Sequence, residues 1–321
     1  MSWPGVSEQS IATNGIELNV AHAGSGPLVL LLHGFPESWY SWRHQFAPLA
    51  AAGYTVAAPD MRGYGKSDKP ANVDAYNQVE VVRDIIGLIP ALGFEQAVVI
   101  GHDWGAPTAW STALHHPQQV TAVGALSVPF MPRGDTEPMA VMREVFKGQF
   151  FYQLYFQEEG VAEAEFERDI RTALKKFLVM GAGETDLASL PAKGPDADLL
   201  TGLPDPETLP PWLTAADLDF YTGEFTASGF RGPLNYYRNH DLTWRLTEGA
   251  PKRIEQPAMF VAGAKDGVLL MAGEALAALP QTVPDLRLQR LIPEIGHWTQ
   301  QEAPDAVNDA LLEFLGDVCA V

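Results

Sequence analysis

Between residues 16 and about 130 the chain repeats one pattern: a short apolar run, a turn, then a helix-like stretch. LVLLL (28–32) leads into HGFP, TVAAP (55–59) into DMRGYGKS, AVVIG (97–101) into HDWGA, and AVGALSV (122–128) into PFMPRG. Runs that are apolar almost throughout suit strands covered on both faces, and their alternation with helices predicts a mostly parallel α/β sheet flanked by helices. Strand pattern resumes at AMFVAGA (258–264) and LRLQRLI (286–292), and APDAVNDALLEFL (303–315) places Ala306, Ala310, Leu311 and Phe314 on one helical face. From about Pro132 to Arg245 the pattern changes to helical stretches rich in Phe, Tyr, Leu and Glu, broken by PDPETLPPW (204–212). The expected organisation is a sheet core in two parts, residues 1–131 and 246–321, with a helical lid (132–245) inserted between them.

Composition excludes several functions. The 21 basic and 40 acidic side chains leave a net charge of −19, a surface that repels phosphate backbones and anionic lipid heads, so neither nucleic acid nor membrane is an expected partner. Cys319, the only cysteine, cannot form a disulfide framework or a CxxC site, and its place near the terminus suits no nucleophile. MSWPGVSEQS lacks the basic start and apolar run of a secretory leader, and the purest apolar run, Leu28 to Leu32, is far below the roughly 20 residues of a membrane span. The expected location is cytoplasmic.

Chemistry concentrates at three strand ends. Gly101-His102-Asp103-Trp104-Gly105 follows AVVIG and precedes a helical stretch, which is the pattern of a nucleophile elbow with aspartate in place of the commoner serine. A carboxylate attacks strained or activated sp³ carbon and forms an alkyl ester. Helix capping alone would account for an aspartate here, but not for both glycines and the strand before them. Asp266 follows the AMFV strand and His297 follows LRLQRLI, so nucleophile, acid and histidine occur in the order of an α/β-hydrolase triad. Taken singly, Asp266 could close a turn with Gly267 and His297 could be an ordinary loop histidine. His33-Gly34-Phe35-Pro36 supplies the early loop of an oxyanion hole, with the amides of Phe35 and Trp104 as donors. His102 is expected to pack locally, and no histidine shows metal-ligand spacing.

These motifs resemble those of the α/β-hydrolase-fold epoxide hydrolases, especially the hydrolase domain of the mammalian soluble enzyme without its phosphatase domain. The likeness rests on HGFPESWYSWR (33–43), APDMRGYGKSDKP (58–70), GHDWGA (101–106), AKDGVL (264–269) and GHWTQ (296–300). More specific still are YQLYFQEEGVAEAE (152–165) and SGFRGPLNYYRN (228–239) in the helical stretch. The resemblance implies hydrolysis of a small hydrophobic epoxide by water to a vicinal diol, a role in detoxification, and neither cofactor nor metal, in a monomer or dimer. It implies Asp103 as nucleophile, His297 as the base that activates water, and Asp266 as the acid orienting that base. Tyr152 and Tyr237 match the lid tyrosines that hold the epoxide oxygen, with Tyr155 and Tyr236 as the alternatives one register away. Trp39, Gln153 and Trp298 are the expected substrate-pocket residues. Glu159 stands where related sequences have proline, and Tyr236 where tryptophan is usual. The nearest rival, a dehalogenase on the same aspartate, would need indole donors such as Trp39 and Trp104 for a halide. An ester hydrolase would call for serine at Asp103, and a non-catalytic protein on this fold would have no need of a full triad.

Overall fold

The computed structural model describes residues 3–319; residues 1–2, which open the stretch read for a secretory leader, and residues 320–321 lie outside that range. Its centre is an eight-stranded sheet in the order β1-β2-β4-β3-β5-β6-β7-β8. The strands are β1 (Ser7–Thr13), β2 (Ile16–Gly24), β3 (Leu28–Leu32), β4 (Thr55–Pro59), β5 (Ala97–His102), β6 (Val120–Leu126), β7 (Ala258–Gly263) and β8 (Leu286–Ile292). From β4 through β8 the pairing is parallel, while β1 and β2 form an antiparallel edge. Every residue of β3, β5 and β7 is buried, which is why these strands read as apolar runs without alternation.

The sequence reading did not find the β1–β2 hairpin, although its signal is present. Asn14-Gly15 joins the two strands with both residues at positive φ, +45° and +77°, as a two-residue hairpin turn demands. The run read as 122–128 stops at Leu126, because Ser127 turns the chain at a φ of +70°.

Helices α1 (Arg43–Ala51), α2 (Gln78–Ala91) and α3 (Gly105–His115) follow β3, β4 and β5. Asn77 caps α2 by accepting from the amides of Val79 and Glu80, and Asp84 on its inner face holds Arg62 in a buried ion pair. Seven helices occupy the chain between β6 and β7: α4 (Pro138–Val145), α5 (Tyr152–Tyr155), α6 (Val161–Arg168), α7 (Ile170–Gly181), α8 (Ala215–Ser228), α9 (Arg231–Arg238) and α10 (His240–Leu246). Four more close the fold: α11 (Gly267–Met271), α12 (Gly273–Thr282), α13 (Thr299–Glu302) and α14 (Pro304–Val318). No helix of the described residues is long and apolar enough to cross a membrane.

Register places the site. Leu32 lies opposite Gly101, so the loop after β3 meets the loop after β5, and Gly263 lies opposite Ile292, so the loops after β7 and β8 run side by side. Parallel strands deliver all of these loops to one edge of the sheet. The helical segment α4–α10 is keyed to that edge by Phe35, whose ring packs edge-on against Phe156, Phe166, Phe177 and Tyr237 at centroid distances of 5.5–5.8 Å.

A second contact between α8 and the core is electrostatically costly. Gly65 is flanked by two carboxylates, since a Cβ there would lie 2.3 Å from Asp60 Oδ2 and 2.8 Å from Glu224 Oε2. Burial and then the charges of Asp60 and Glu8 push the Glu224 carboxyl up to about 7, against the pull of Lys66 and Lys69. Between the ordinary value of 4.5 and about 7 the folded chain holds a proton that the unfolded chain has lost, so stability falls as pH rises through this window. Glu224→Gln should therefore raise the melting temperature at pH 8 and change it little at pH 5. An equal shift at both pH values would mean that Glu224 carries no proton in the fold.

Candidate active site

Asp103 sits between β5 and α3 at a φ of +49°, a conformation that side chains resist. Glycines clear its surroundings. A Cβ at Gly101 would lie 1.9 Å from Gly105 O, one at Gly105 2.0 Å from Leu32 O, and one at Gly34 2.2 Å from Asp103 Oδ1. The Phe35 amide, brought alongside by the β3–β5 register, donates to Asp103 Oδ1 at 2.7 Å. Trp104 follows at the start of α3, and its indole packs edge-on against Tyr237 at 5.1 Å.

The other two polar residues converge on the same point. His297 Nε2 lies 3.4 Å from Asp103 Oδ2, and its Nδ1 lies 3.1 Å from both carboxylate oxygens of Asp266. Asp266 also caps α11, accepting from the Val268 amide at 2.8 Å. Burial alone would lower the His297 pKa, but Asp266 and Asp103 on either side hold it well above the ordinary histidine value. Burial would raise Asp266, yet the His297 charge and hydrogen bond bring it below the usual carboxylate range.

Asp103, Asp266, His297, Phe35, Tyr152, Tyr237 and Trp298 all line one cavity of about 320 Å³. Its remaining walls are mostly apolar, with Phe150, Phe151, Phe177, Met180, Leu187, Leu190, Leu199 and Met271 among them. Tyr152 from α5 and Tyr237 from α9 present rings 5.9 Å apart, and one side chain spaces them: Gln157 Nε2 donates to the carbonyls of both Gln153 and Tyr237. Burial first, and then the Asp103 charge, raise both phenols above their ordinary pKa, so both keep their protons. The neighbouring tyrosines are committed elsewhere. Tyr155 donates to Glu165 at 2.8 Å, and Tyr236 donates to the Arg62 carbonyl at 3.0 Å.

Two of the expected pocket residues are not part of the cavity wall. Trp39 is buried, with its ring about 6.0 Å from Phe46 and Phe220, because the turn after Ser38 sends it into the packing between α1 and α8. Gln153 instead turns its amide behind Tyr152, donating to the phenol oxygen at 2.9 Å.

Three further residues support the site: His102, expected to pack locally, and Glu37 and Glu302, which were not singled out in the sequence. Glu37, within the quoted HGFPESW, is fully buried and accepts from the Gly34 amide, His102, Gln300 and Gln301. His102 faces two acceptors, Glu37 Oε2 and the His297 carbonyl, both at 2.8 Å, and a neutral ring could donate to only one of them. Burial would raise Glu37, but His102 and its hydrogen bond hold it down at about 2. Glu302 accepts from the amides of Gly183, Gly296 and Trp298 at 2.8–2.9 Å, bracketing His297 and tying it to the segment after α7. Burial nonetheless pushes its carboxyl above the usual range. Local sequence pattern does not mark these roles, since the contacts of Glu37 with His102, Gln300 and Gln301, and of Glu302 with Gly183, join segments far apart in the chain. Among the described residues, no three His, Cys, Asp or Glu side chains converge to hold a metal ion.

With this geometry in place, comparison with known proteins is decisive. The alpha/beta hydrolase fold family matches residues 27–304. Epoxide hydrolase A of Mycobacterium tuberculosis is 44% identical over 315 residues, covering 96% of this chain and 97% of that protein. A solved epoxide hydrolase from an endophytic Streptomyces superimposes with a TM-score of 0.95 at 45% identity, covering 98% of this chain and 96% of that one. The chain belongs to the epoxide hydrolase family of the α/β-hydrolase fold. Among these epoxide hydrolases, the bifunctional epoxide hydrolase 2 of Mus musculus is 39% identical over 303 residues, which span 94% of this chain and 54% of that longer protein.

The Glu302 clamp generates a prediction about the base loop. Glu302→Gln keeps one acceptor oxygen but turns an N–H₂ toward an amide that also donates. Leaving buried donors unpaired costs about 1–3 kcal/mol, which urea unfolding should detect. A variant as stable as the parent would mean that the carboxylate does not hold the loop.

Proposed function

We propose that this epoxide hydrolase opens its substrate by attack of Asp103 on an epoxide carbon, forming an alkyl ester that His297 then hydrolyses with water. The observation that carries this reading is that two phenols, the carboxylates of Asp103 and Asp266 and a histidine line one cavity whose remaining walls are mostly apolar. Tyr152 and Tyr237 hold the ring oxygen and supply the proton that the developing alkoxide needs. An alkoxide is a far more basic leaving group than a halide, so paired phenols suit an epoxide. A halide-binding pair of Trp39 and Trp104 is ruled out by the position of Trp39 outside the cavity.

The proton inventory balances. The scheme starts with His297 as a cation between the Asp103 and Asp266 carboxylates, the state its raised pKa favours. Ring opening converts Asp103 to a neutral ester and leaves a phenolate where a phenol gave up its proton. His297 returns a proton to that phenolate. With the Asp103 charge gone from its Nε2 side, it is now a neutral base. It takes a proton from water, and the hydroxide adds to the ester carbonyl. The resulting oxyanion occupies the position where Asp103 Oδ1 now meets the Phe35 amide, with the Trp104 amide as the second donor. Collapse releases the diol and restores the carboxylate.

On this reading α4–α10 (Pro138–Leu246), close to the expected 132–245, is a lid that carries the two acids over a core that carries nucleophile and base. The substrate is a small hydrophobic epoxide, matched to the cavity walls. A cytoplasmic location and a role in detoxification accord with that substrate.

Two experiments test the scheme. His297→Gln should still alkylate, so intact mass spectrometry after mixing with epoxide should show one substrate mass added, mapping to the peptide that contains Asp103. An inactive variant that never gains the adduct would favour direct attack by water. Tyr152→Phe or Tyr237→Phe should each slow alkylation by roughly 10- to 100-fold, and the double variant by at least about 10³-fold, because each phenol partly covers for the other. A double variant within a few-fold of the parent would remove the tyrosines from the mechanism.

A further inference from the structure

His240 is a partly buried histidine with no part in the steps above. It opens α10, directly after the helix that carries Tyr237, and its ring lies 5.3 Å from the Trp104 indole. Its Nε2 is 3.0 Å from Gln153 Oε1, and Gln153 Nε2 is 2.9 Å from the Tyr152 phenol oxygen. We propose that His240 is a positioning residue that fixes the Gln153 amide and so aims the Tyr152 proton into the cavity. The inference rests on Tyr152 acting as an acid, as proposed above.

Hydrogen-bond direction couples His240 to Tyr152. A glutamine amide offers donors at one end and an acceptor at the other, so its two partners are not independent. With Nε2 toward Tyr152, the phenol oxygen receives a hydrogen bond and its own proton is free to point at an epoxide. That orientation sends Oε1 toward His240, which must then carry its proton on Nε2. In the reverse orientation Oε1 would accept the Tyr152 proton, and the hydroxyl would be turned away from the cavity. A donor at His240 Nε2 therefore selects the productive amide orientation. The hydrogen bond from Gln153 also favours the phenolate that forms when Tyr152 gives up its proton. Burial drives the His240 pKa down to about 4, so at neutral pH the ring is uncharged and gives this donor without adding a charge behind Tyr152. Tyr237, the other acid, receives nothing from this relay, which predicts that its effect runs through Tyr152 alone.

Alkylation can be isolated in the His297→Gln background, where the ester accumulates, with styrene oxide as the probe and adduct mass as the readout. His240→Leu keeps bulk and removes the donor, and it should slow adduct formation by about tenfold, the scale of one lost transition-state hydrogen bond. His240→Gln restores an N–H at similar reach and should recover the rate to within about threefold. In a Tyr152→Phe background His240→Leu should cause no further slowing, because the group it aims is absent. Gln153→Leu removes the same donor from Tyr152 and should slow alkylation as much as His240→Leu does, so a failure of the latter to fold still leaves a decisive measurement. Adduct formation within twofold of the parent in the Leu variants, or undiminished slowing by His240→Leu without the Tyr152 hydroxyl, would overturn the proposal. If Tyr152→Phe alone alkylates at the parent rate, the acid role of Tyr152 has failed; if it is slow while His240→Leu is not, only the positioning role has.

Discussion

Asp103 is held in a backbone conformation that its own side chain opposes, and the surrounding architecture exists in large part to hold it there. A non-glycine residue at a φ of +49° carries a strain of about 1–3 kcal/mol, which persists only where neighbours over-determine it. Those neighbours are backbone atoms at close approach. Gly101, Gly105 and Gly34 bring β5, α3 and the loop after β3 within distances that no Cβ would allow. The gain is placement: the carboxylate stands clear of the sheet edge, with one oxygen on the Phe35 amide and the other facing His297. Phe35 then extends this order outward, because the residue whose amide meets Asp103 also inserts its ring into the aromatic cluster of α4–α10.

The charges around Asp103 are arranged in two buried layers. In the first, His297 lies between two carboxylates, so its protonation is tied to whether Asp103 is an anion or an ester. In the proposed mechanism, this makes His297 available as a base when the ester has formed. In the second layer the Glu37–His102 pair reaches the first through backbone atoms, Glu37 on the Gly34 amide and His102 on the His297 carbonyl. A buried ion pair is weak evidence for stability in itself. Here its four or more hydrogen bonds join the loops after β3, β5 and β8, which fits a role in fixing loop positions.

How much of this was legible in the sequence follows from the range of each interaction. The runs LVLLL and TVAAP coincide with β3 and β4 because strands buried in a sheet reveal themselves by composition alone, whereas LRLQRLI, the edge strand β8 with only Leu288 and Ile292 buried, is legible from its alternation of apolar and polar residues. The β1–β2 edge was missed because one face of β1 is exposed and its residues are mixed, although Asn14-Gly15 was there to be read. Asp103, Asp266 and His297 stood out because each follows a strand, and strand ends converge by topology. Trp39 misled because a conspicuous aromatic near a motif is equally suited to a pocket or to packing, and only the path of the turn at Ser38 decides between them. Glu37, Glu302 and the Gln153–His240 contact were out of reach because each depends on where distant loops and helices meet.

It is tempting to divide the labour cleanly, with nucleophile and base on the core and the acids on the helical segment. The contacts contradict so simple a division. The His297 amide donates to the Gly181 carbonyl at 2.7 Å, at the end of α7, and Glu302 clamps Gly183 together with the residues on either side of His297. Gly296 approaches this segment so closely that a Cβ there would lie 2.4 Å from Gly181 O. The wall of the cavity at Met180 and Gly181 is therefore also the support of His297. On the proposed mechanism, a substrate pressing on that wall acts on the group that activates water, and displacement of α7 from the core disturbs ester hydrolysis as directly as displacement of α5 and α9 disturbs ring opening. Both proposed steps then depend on the same docked arrangement, although only one of them takes its protons from it.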